Sequence, residues 1–224
     1  MISTKSIGTI NINRILRTIW EHEPISRVQI AQDLDLSKST ITLIVSQLME
    51  RGIVVEHSSV ETGASGGRKR IALGINPFYG ALIGVEIQTE FARIVAVSIG
   101  GDVLFRTQEP FDFVAGQLSV RLEDILRTQK ARLESMGWRV LGASLGIAGI
   151  VDPVRKEIRQ SNPLAIVDPI PLDSSMEERL GLPIFLENDA KCCCWAELAS
   201  RGHERPEHFM YVLGEFRRLY VSER

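Results

Sequence analysis

Cysteine is nearly absent from this chain. Its 224 residues include three, and they stand side by side at Cys192, Cys193 and Cys194. Three adjacent thiols cannot staple distant parts of a fold, which excludes a disulfide-built domain and suits a reducing cytoplasm. They cannot gather on one ion either, because consecutive helical residues point about 100° apart. No metal is expected, and the trio reads as small core side chains. No apolar run reaches the roughly 18–20 residues needed to cross a bilayer. The opening MISTKSIGTININR has no apolar stretch of leader type, so neither export nor membrane insertion is expected. A dominant charge is also missing: 26 Lys and Arg face 28 Asp and Glu, for a formal net charge of −2.

That charge is unevenly spread. Residues 1–76 hold nine Lys and Arg against seven Asp and Glu, and the remainder holds 17 against 21. A mildly basic head on an acidic body fits a small nucleic-acid module carried by a different kind of domain. The sequence texture changes after Asn76-Pro77, so the expected domains are 1–76 and 77–224. With 44% hydrophobic residues, the chain can bury a substantial core.

In the head, Ile12, Ile15, Leu16 and Ile19 recur at helical spacing, and Pro24 stops that helix. Ser26 and Gln29 form a capping-box signature for a second helix with Ile30, Ala31 and Leu34 on its inner face. Asp35 falls at the following turn, where Asp tolerates the left-handed conformation. Ser37 can cap a third helix with an apolar stripe of Ile41, Ile44, Val45 and Leu48, ended by Gly52. The opposite face carries Ser39, Leu43 and Ser46, flanked by Thr40 and Thr42. These short side chains allow close approach to base edges, and Leu43 can meet a thymine methyl. Lys38 at the helix start is placed for a phosphate. The plainer alternative is a three-helix bundle with a solvated Ser/Thr face.

Two short strands follow, Ile53–Glu56 and Arg70–Leu73, with a Ser-, Gly- and Thr-rich loop between them that ends in Gly66-Gly67-Arg68-Lys69. Two glycines before an arginine let backbone lie near a narrow groove while the guanidinium enters it. An ordinary solvated hairpin tip is the alternative, but it has no need of three consecutive cations beside a glycine pair. The candidate contacts to double-stranded DNA are therefore Ser37, Lys38, Ser39, Thr40, Thr42, Leu43, Ser46, Gly66, Gly67, Arg68, Lys69 and Arg70.

In the body, Ala81–Ile87, Phe91–Ile99 and Val103–Thr107 read as three successive strands, with a hairpin turn at Gly100-Gly101-Asp102. A helix through Leu118, Leu122, Ile125 and Leu133 comes next, followed by the apolar strand VLGASLGIAG at 140–149. A short helix near 175–180 is closed by Gly181, and a strand Ile184–Glu187 leads into a helix Asp189–Ser200. Mixing α+β and α/β features, this order specifies a winged helix-turn-helix followed by one lobe of an actin-like, ribonuclease-H-like fold.

The stretches SKSTITLIVSQLMERGIV, GASGGRKR, GINPFYGALIGVEI, LGASLGIAGIVDP and LGLPIFLENDAKCCCWAEL, in that order, resemble the ROK group of repressors, open reading frames and sugar kinases. The resemblance runs from about residue 8 to 213 and is nearest to the repressor branch. It implies a cytoplasmic, nucleoid-associated bacterial regulator of carbohydrate-utilisation genes. Its DNA affinity would respond to a small sugar, and it would need no cofactor. By resemblance, Glu187, Asn188 and Asp189 lie where family members bond sugar hydroxyls, and a carboxylate beside an amide suits a polyol. Asp189 serving only as a helix cap is the alternative. Gly149 matches the family's Pro-Gly with Ala148 in place of the proline, and Asn162 matches within Ser161-Asn162-Pro163 where the family more often has Pro before Asn.

Kinases of the group open the body with an Asp-x-Gly-Gly-Thr turn that cradles phosphates, and here Glu86-Ile87-Gln88-Thr89 stands in its place. Gln88 has a side chain where the cradle needs open backbone, so no catalytic residues and no enzyme activity are expected. Glu86 reads as a strand-end carboxylate. A sugar kinase with an added head, and a DNA-binding remnant without effector response, are the alternatives. The family body has a second lobe, with a Cys-rich zinc motif and further sugar ligands, and usually forms homo-oligomers. The closing GEFRRLYVSER does not resemble the family's second glycine-rich loop. The expected body is therefore incomplete, which puts its oligomer contacts in question.

Overall fold

The structure is a computed structural model that describes residues 4–57, 71–200, 208 and 210–212. The chain divides into two compact units, one of Met1–Ile83, Val95–Arg106 and Thr128–Leu141, the other of Gly84–Ile94, Thr107–Arg127 and Gly142–Arg224.

The head begins with α1 (Thr4–His22), whose Ile15 and Ile19 are fully buried. A two-residue strand β1 (Ile25–Ser26) leads into α2 (Arg27–Leu34). Ser26 caps α2, its hydroxyl accepting the N–H of Gln29 at 3.3 Å. Asp35 ends α2 at φ 51°, ψ 48°, and its N–H returns to the carbonyls of Ala31 and Gln32. An Asp takes that left-handed position more readily than most residues, so the turn needs no glycine. Next, α3 (Lys38–Glu50) buries Ile41, Ile44, Val45 and Leu48 in one cluster with Ile15, Ile19, Ile25, Ile30, Val54 and Leu73. Burying each such aliphatic side chain contributes about 1.5–3 kcal/mol. Together they fix the angle between α2 and α3.

The strands β2 (Val54–His57) and β3 (Ala72–Ile75) pair antiparallel, with Val54 opposite Ile75 and His57 opposite Ala72. This corrects the sequence-based strand Arg70–Leu73, because β3 runs on through Gly74. Two partners hold it there. β1 pairs with it on the other edge, and the Glu23 carboxylate accepts the Ile75 N–H at 2.6 Å.

The body is built on a five-stranded sheet in the order β11-β7-β4-β5-β6. Tight turns join β4 (Ala81–Ile87), β5 (Phe91–Ser98) and β6 (Val103–Pro110). The second turn is closed by Ser98 N–H to Asp102 O, with Gly101 at φ 94°. A single 3-10 turn precedes α4 (Leu118–Ser135), which buries Leu118, Leu122, Ile125, Leu126 and Leu133. The apolar glycine-rich stretch forms β7 (Val140–Ile147) and then departs into a small antiparallel sheet of β8 (Ile150–Asp152), β9 (Glu157–Gln160) and β10 (Ile170–Pro171). After α5 (Met176–Leu180), capped by Gly181 at φ 62°, β11 (Ile184–Asn188) returns parallel to β7 and feeds α6 (Asp189–Ser200). Side chains alternate as a sheet requires: Val85, Ile87, Ala143, Leu145, Ile184 and Leu186 are buried, and Glu86, Ser144 and Phe185 lie between them on the other face.

Candidate nucleic-acid interface and candidate effector site

On α3 the side facing away from the core exposes Lys38, Ser39, Thr42, Leu43, Ser46, Gln47 and Glu50. Leu43 is 62% exposed on this side. The hydroxyls are not equivalent. Ser37 accepts the N–H of Thr40 at 3.1 Å and bonds the hydroxyls of Ser39 and Thr40, each at 2.8 Å. Thr42 donates to the carbonyl of Lys38 at 2.8 Å. Ser37 and the half-buried Thr40 thus build the helix start, with the Ser39 hydroxyl bonded to that cap, while Leu43 and Ser46 face outward. Sequence reasoning missed Gln47, four residues beyond Leu43. Its exposure on the same side was legible from the helical period, and its amide has the geometry to pair with adenine in a major groove. The wing residues Gly66, Gly67, Arg68, Lys69 and Arg70 lie outside the described residues.

In the body, the ends of β7 and β11 bring four of the predicted effector residues together, Gly149, Glu187, Asn188 and Asp189, while Asn162 bonds Gln160 instead. Asn188 donates from Nδ2 to the carbonyl of Gly149 at 2.9 Å, and its Oδ1 accepts the N–H of Lys191 at 3.1 Å. The cap of α6 is therefore Asn188, which overturns the alternative that gave this role to Asp189. Position decides it: α6 begins at Asp189, so the residue before it reaches the free N–H three places on. Asp189 itself accepts only the adjoining N–H of Ala190, at 2.8 Å. It stands half-buried at the positive end of the helix, where a carboxylate is favoured. Glu187 accepts the Asn188 N–H at 2.9 Å and pairs with Lys191 at 3.2 Å.

Gly149 is close-packed. A Cβ there would come within 2.3 Å of the Gln160 carbonyl, so only glycine lets the two backbones meet. Ser161, a second residue missed from sequence, explains the approach. It is 1% exposed, donates to the Ala148 carbonyl at 2.7 Å, and accepts the Leu164 N–H at 3.3 Å. It anchors the 161–164 turn, on which Asn162 is exposed.

The turn after β4 is internally satisfied. Gln88 donates from its side chain to Glu86, whose other oxygen pairs with Arg93 at 3.3 Å, and the Gln88 N–H is taken by the Phe91 carbonyl. An N–H already bonded within the turn cannot cradle a phosphate.

The cysteines are half-buried, which corrects the expectation of core positions. Cys192 lies over Gly146, its sulfur 3.7 Å from where that residue's Cβ would be. Burial, then the charge of Glu187, push its thiol up from the ordinary value. Cys193 bonds Tyr211 instead, raising the tyrosine hydroxyl. Side chains diverging around one helix explain why neither sits in the core. Among the described residues, no helix is long and apolar enough to cross a membrane.

A winged helix-turn-helix with one lobe of a sugar-kinase-like fold behind it is the architecture these features define. Comparison with known sequences agrees. A model described as the MarR family matches residues 9–60, and one described as the ROK family matches residues 83–213, more than half of the chain. The chain belongs to the ROK family. It is 26% identical over 185 residues to the xylose repressor of Caldicellulosiruptor bescii, covering 81% of this chain and 45% of that protein. Against the DNA-binding transcriptional dual regulator NagC of Escherichia coli K12 the identity is 28% over 195 residues, covering 85% and 47%. Among solved structures, a ROK family transcriptional regulator, a homologue of the E. coli MLC protein, superposes with a TM-score of 0.71 at 23% identity, covering 85% and 48%. The chain spans about half the length of the curated relatives it matches.

Proposed function

We propose that this chain is the DNA-binding and part of the effector-sensing portion of a transcriptional repressor of sugar-utilisation genes. The observation that carries the reading is the outward face of α3: Ser39, Leu43, Ser46 and Gln47, held by a capped turn, on a chain whose relatives are named as repressors. Residues 1–76 act as the DNA-binding domain and 77–224 as the sugar-responsive lobe. The helix reads base edges, and Gly66, Gly67, Arg68, Lys69 and Arg70 supply the wing's backbone and groove contacts. Asp189 and Glu187 take the sugar hydroxyls, with Asn162 and the Gly149 backbone lining the opposite side. Asn188 holds that arrangement together. The protein works in the bacterial cytoplasm at the nucleoid and does not phosphorylate sugar, because the turn at Gln88 offers no phosphate cradle.

Relatives named as xylose and N-acetylglucosamine regulators make these the first sugars to try. The test is titration of a duplex bound by the chain, with and without each sugar, beside an ATP-consumption assay. Sugar-dependent release of DNA without ATP turnover supports the reading. ATP-dependent sugar phosphate above a denatured control refutes the non-enzymatic part of it.

A further inference from the structure

The outward side of α1 carries a pattern that the head's own core does not explain. Ile15 and Ile19 are fully buried in that core. Turned away from them, Ile10 is 49% and Trp20 43% exposed, with exposed Asn13 and Arg17 between the two. Exposed apolar side chains taken singly need no explanation. These four stand at steps of three, four and three residues, the spacing of one heptad seam. At 100° per residue they fall within about 80° of one another.

The seam complements itself when reversed. Two copies of α1 set antiparallel about a twofold axis at Ile15 bring together residues equally far from that position on either side. Ile10 then meets the second copy's Trp20, and Asn13 meets its Arg17. The result is apolar on apolar at both ends and amide on guanidinium in the middle, where a polar layer fixes register. Charges on the flank agree, because Arg14 of one copy comes beside Glu21 of the other, twice by symmetry. Within one chain Arg14 donates to the Leu34 carbonyl at 3.1 Å, and a guanidinium with five donors has room for both partners. A parallel pair would instead set Arg17, whose side chain is 75% exposed, against its own copy.

We infer that the outward face of α1 is a docking surface for a second copy of this chain, joined as an antiparallel helix pair across Ile10, Asn13, Arg17 and Trp20. Stable interfaces bury about 800 Å² on each partner, more than four side chains supply, so the association is weak and grows with concentration. A twofold pair carries two copies of α3, as an inverted-repeat duplex requires. The surface itself does not depend on the DNA-binding reading.

The test mixes full-length Ile10→Cys and Trp20→Cys chains under mild oxidation and reads cross-linked dimer on a non-reducing gel. Facing positions can bridge. Position 10 stands about 15 Å along the axis from its own copy, beyond the roughly 4.4–6.8 Å Cα span of a disulfide, and position 20 does likewise. The mixture should therefore give several-fold more dimer than either variant alone. Wild type, with Cys192, Cys193 and Cys194 half-buried, sets the background. Both substitutions fall at exposed positions, so the fold is expected to persist, as a thermal melt would verify. If either variant loses the fold, sedimentation decides instead: wild type should shift towards dimer as concentration rises, and Ile10→Glu should stay monomeric. No more cross-link in the mixture than in wild type, or as much from each variant alone, would overturn the pairing. Matching sedimentation of wild type and Ile10→Glu would overturn it too.

Discussion

The head and the lobe treat their polar side chains in opposite ways. On α3, Ser46 and Gln47 are exposed, while Ser37, Ser39, Thr40 and Thr42 bond one another or the helix backbone. At the end of β11 most of the polar atoms turn inward: Asn188 is bonded at both ends of its amide, and Glu187 serves a backbone N–H and a lysine. A surface meant for a large polyanion can stand ready in water, because phosphates and base edges arrive with their own partners. A site for a small neutral polyol must be held in shape by its own hydrogen bonds until the ligand comes. On the proposed reading, Asp189, with one local bond, is the group left to recognise it.

Several substitutions would break this contrast. Ile41→Ala, at a fully buried position, should destabilise the head by about 2–5 kcal/mol in urea unfolding. Leu43→Ala, two residues on, should change stability by less than about 0.5 kcal/mol while altering the DNA sequences preferred. Equal effects on stability would mean α3 has no free face.

In the lobe, Asn188→Ala should cost about 1–3 kcal/mol, since it frees the Lys191 N–H and the Gly149 carbonyl together. Asp189→Asn should leave stability nearly unchanged yet lower sugar affinity about ten- to hundredfold by calorimetry. If the two variants trade these outcomes, the division of labour between cap and recogniser is reversed. A smaller effect is expected from Ser37→Ala, which removes the α3 cap and should cost about 1 kcal/mol.

The smallest effect concerns acid. Arg179 bonds Glu123 at 2.5 Å and Asp173 at 2.7 Å, tying α4 to the segment before α5. The Arg179 hydrogen bond is the main cause that holds both carboxyls below their ordinary values of 4.5 and 3.8. Carboxyls depressed by folding add stability that is present above those values and disappears as pH falls through the lowered ones. Unfolding midpoints should therefore decline below about pH 4.5. Arg179→Gln should flatten that decline, and an unchanged acid limb in the variant would remove the network from the explanation.

Much of the head was legible because capping residues and a 3.6-residue period are local signals. Ser26, Asp35, Ser37 and the Ile41–Leu48 stripe occupy the predicted roles. The two-residue β1 left no period to read, and its pairing with β3 carried that strand past Gly74. In the lobe, the boundaries of β4 and α6 follow the sequence-based ones, whereas β8, β9 and β10 were missed. Those strands are two to four residues long, too short for alternation to stand out. Ser161 and Gln47 escaped for different reasons. The first matters through a contact thirteen residues away, and the second was overlooked in favour of shorter side chains.

The central claim is that α3 and the wing bind duplex DNA as a unit that the lobe's sugar controls. It is tested most directly by anisotropy of the full chain on its selected duplex, titrated with salt. The account predicts that log K falls linearly with log salt concentration, that Arg68→Ala makes the slope shallower by about one unit, and that changing Gln47 alters the preferred bases without changing the slope. Binding that ignores salt, or that neither substitution affects, would contradict it.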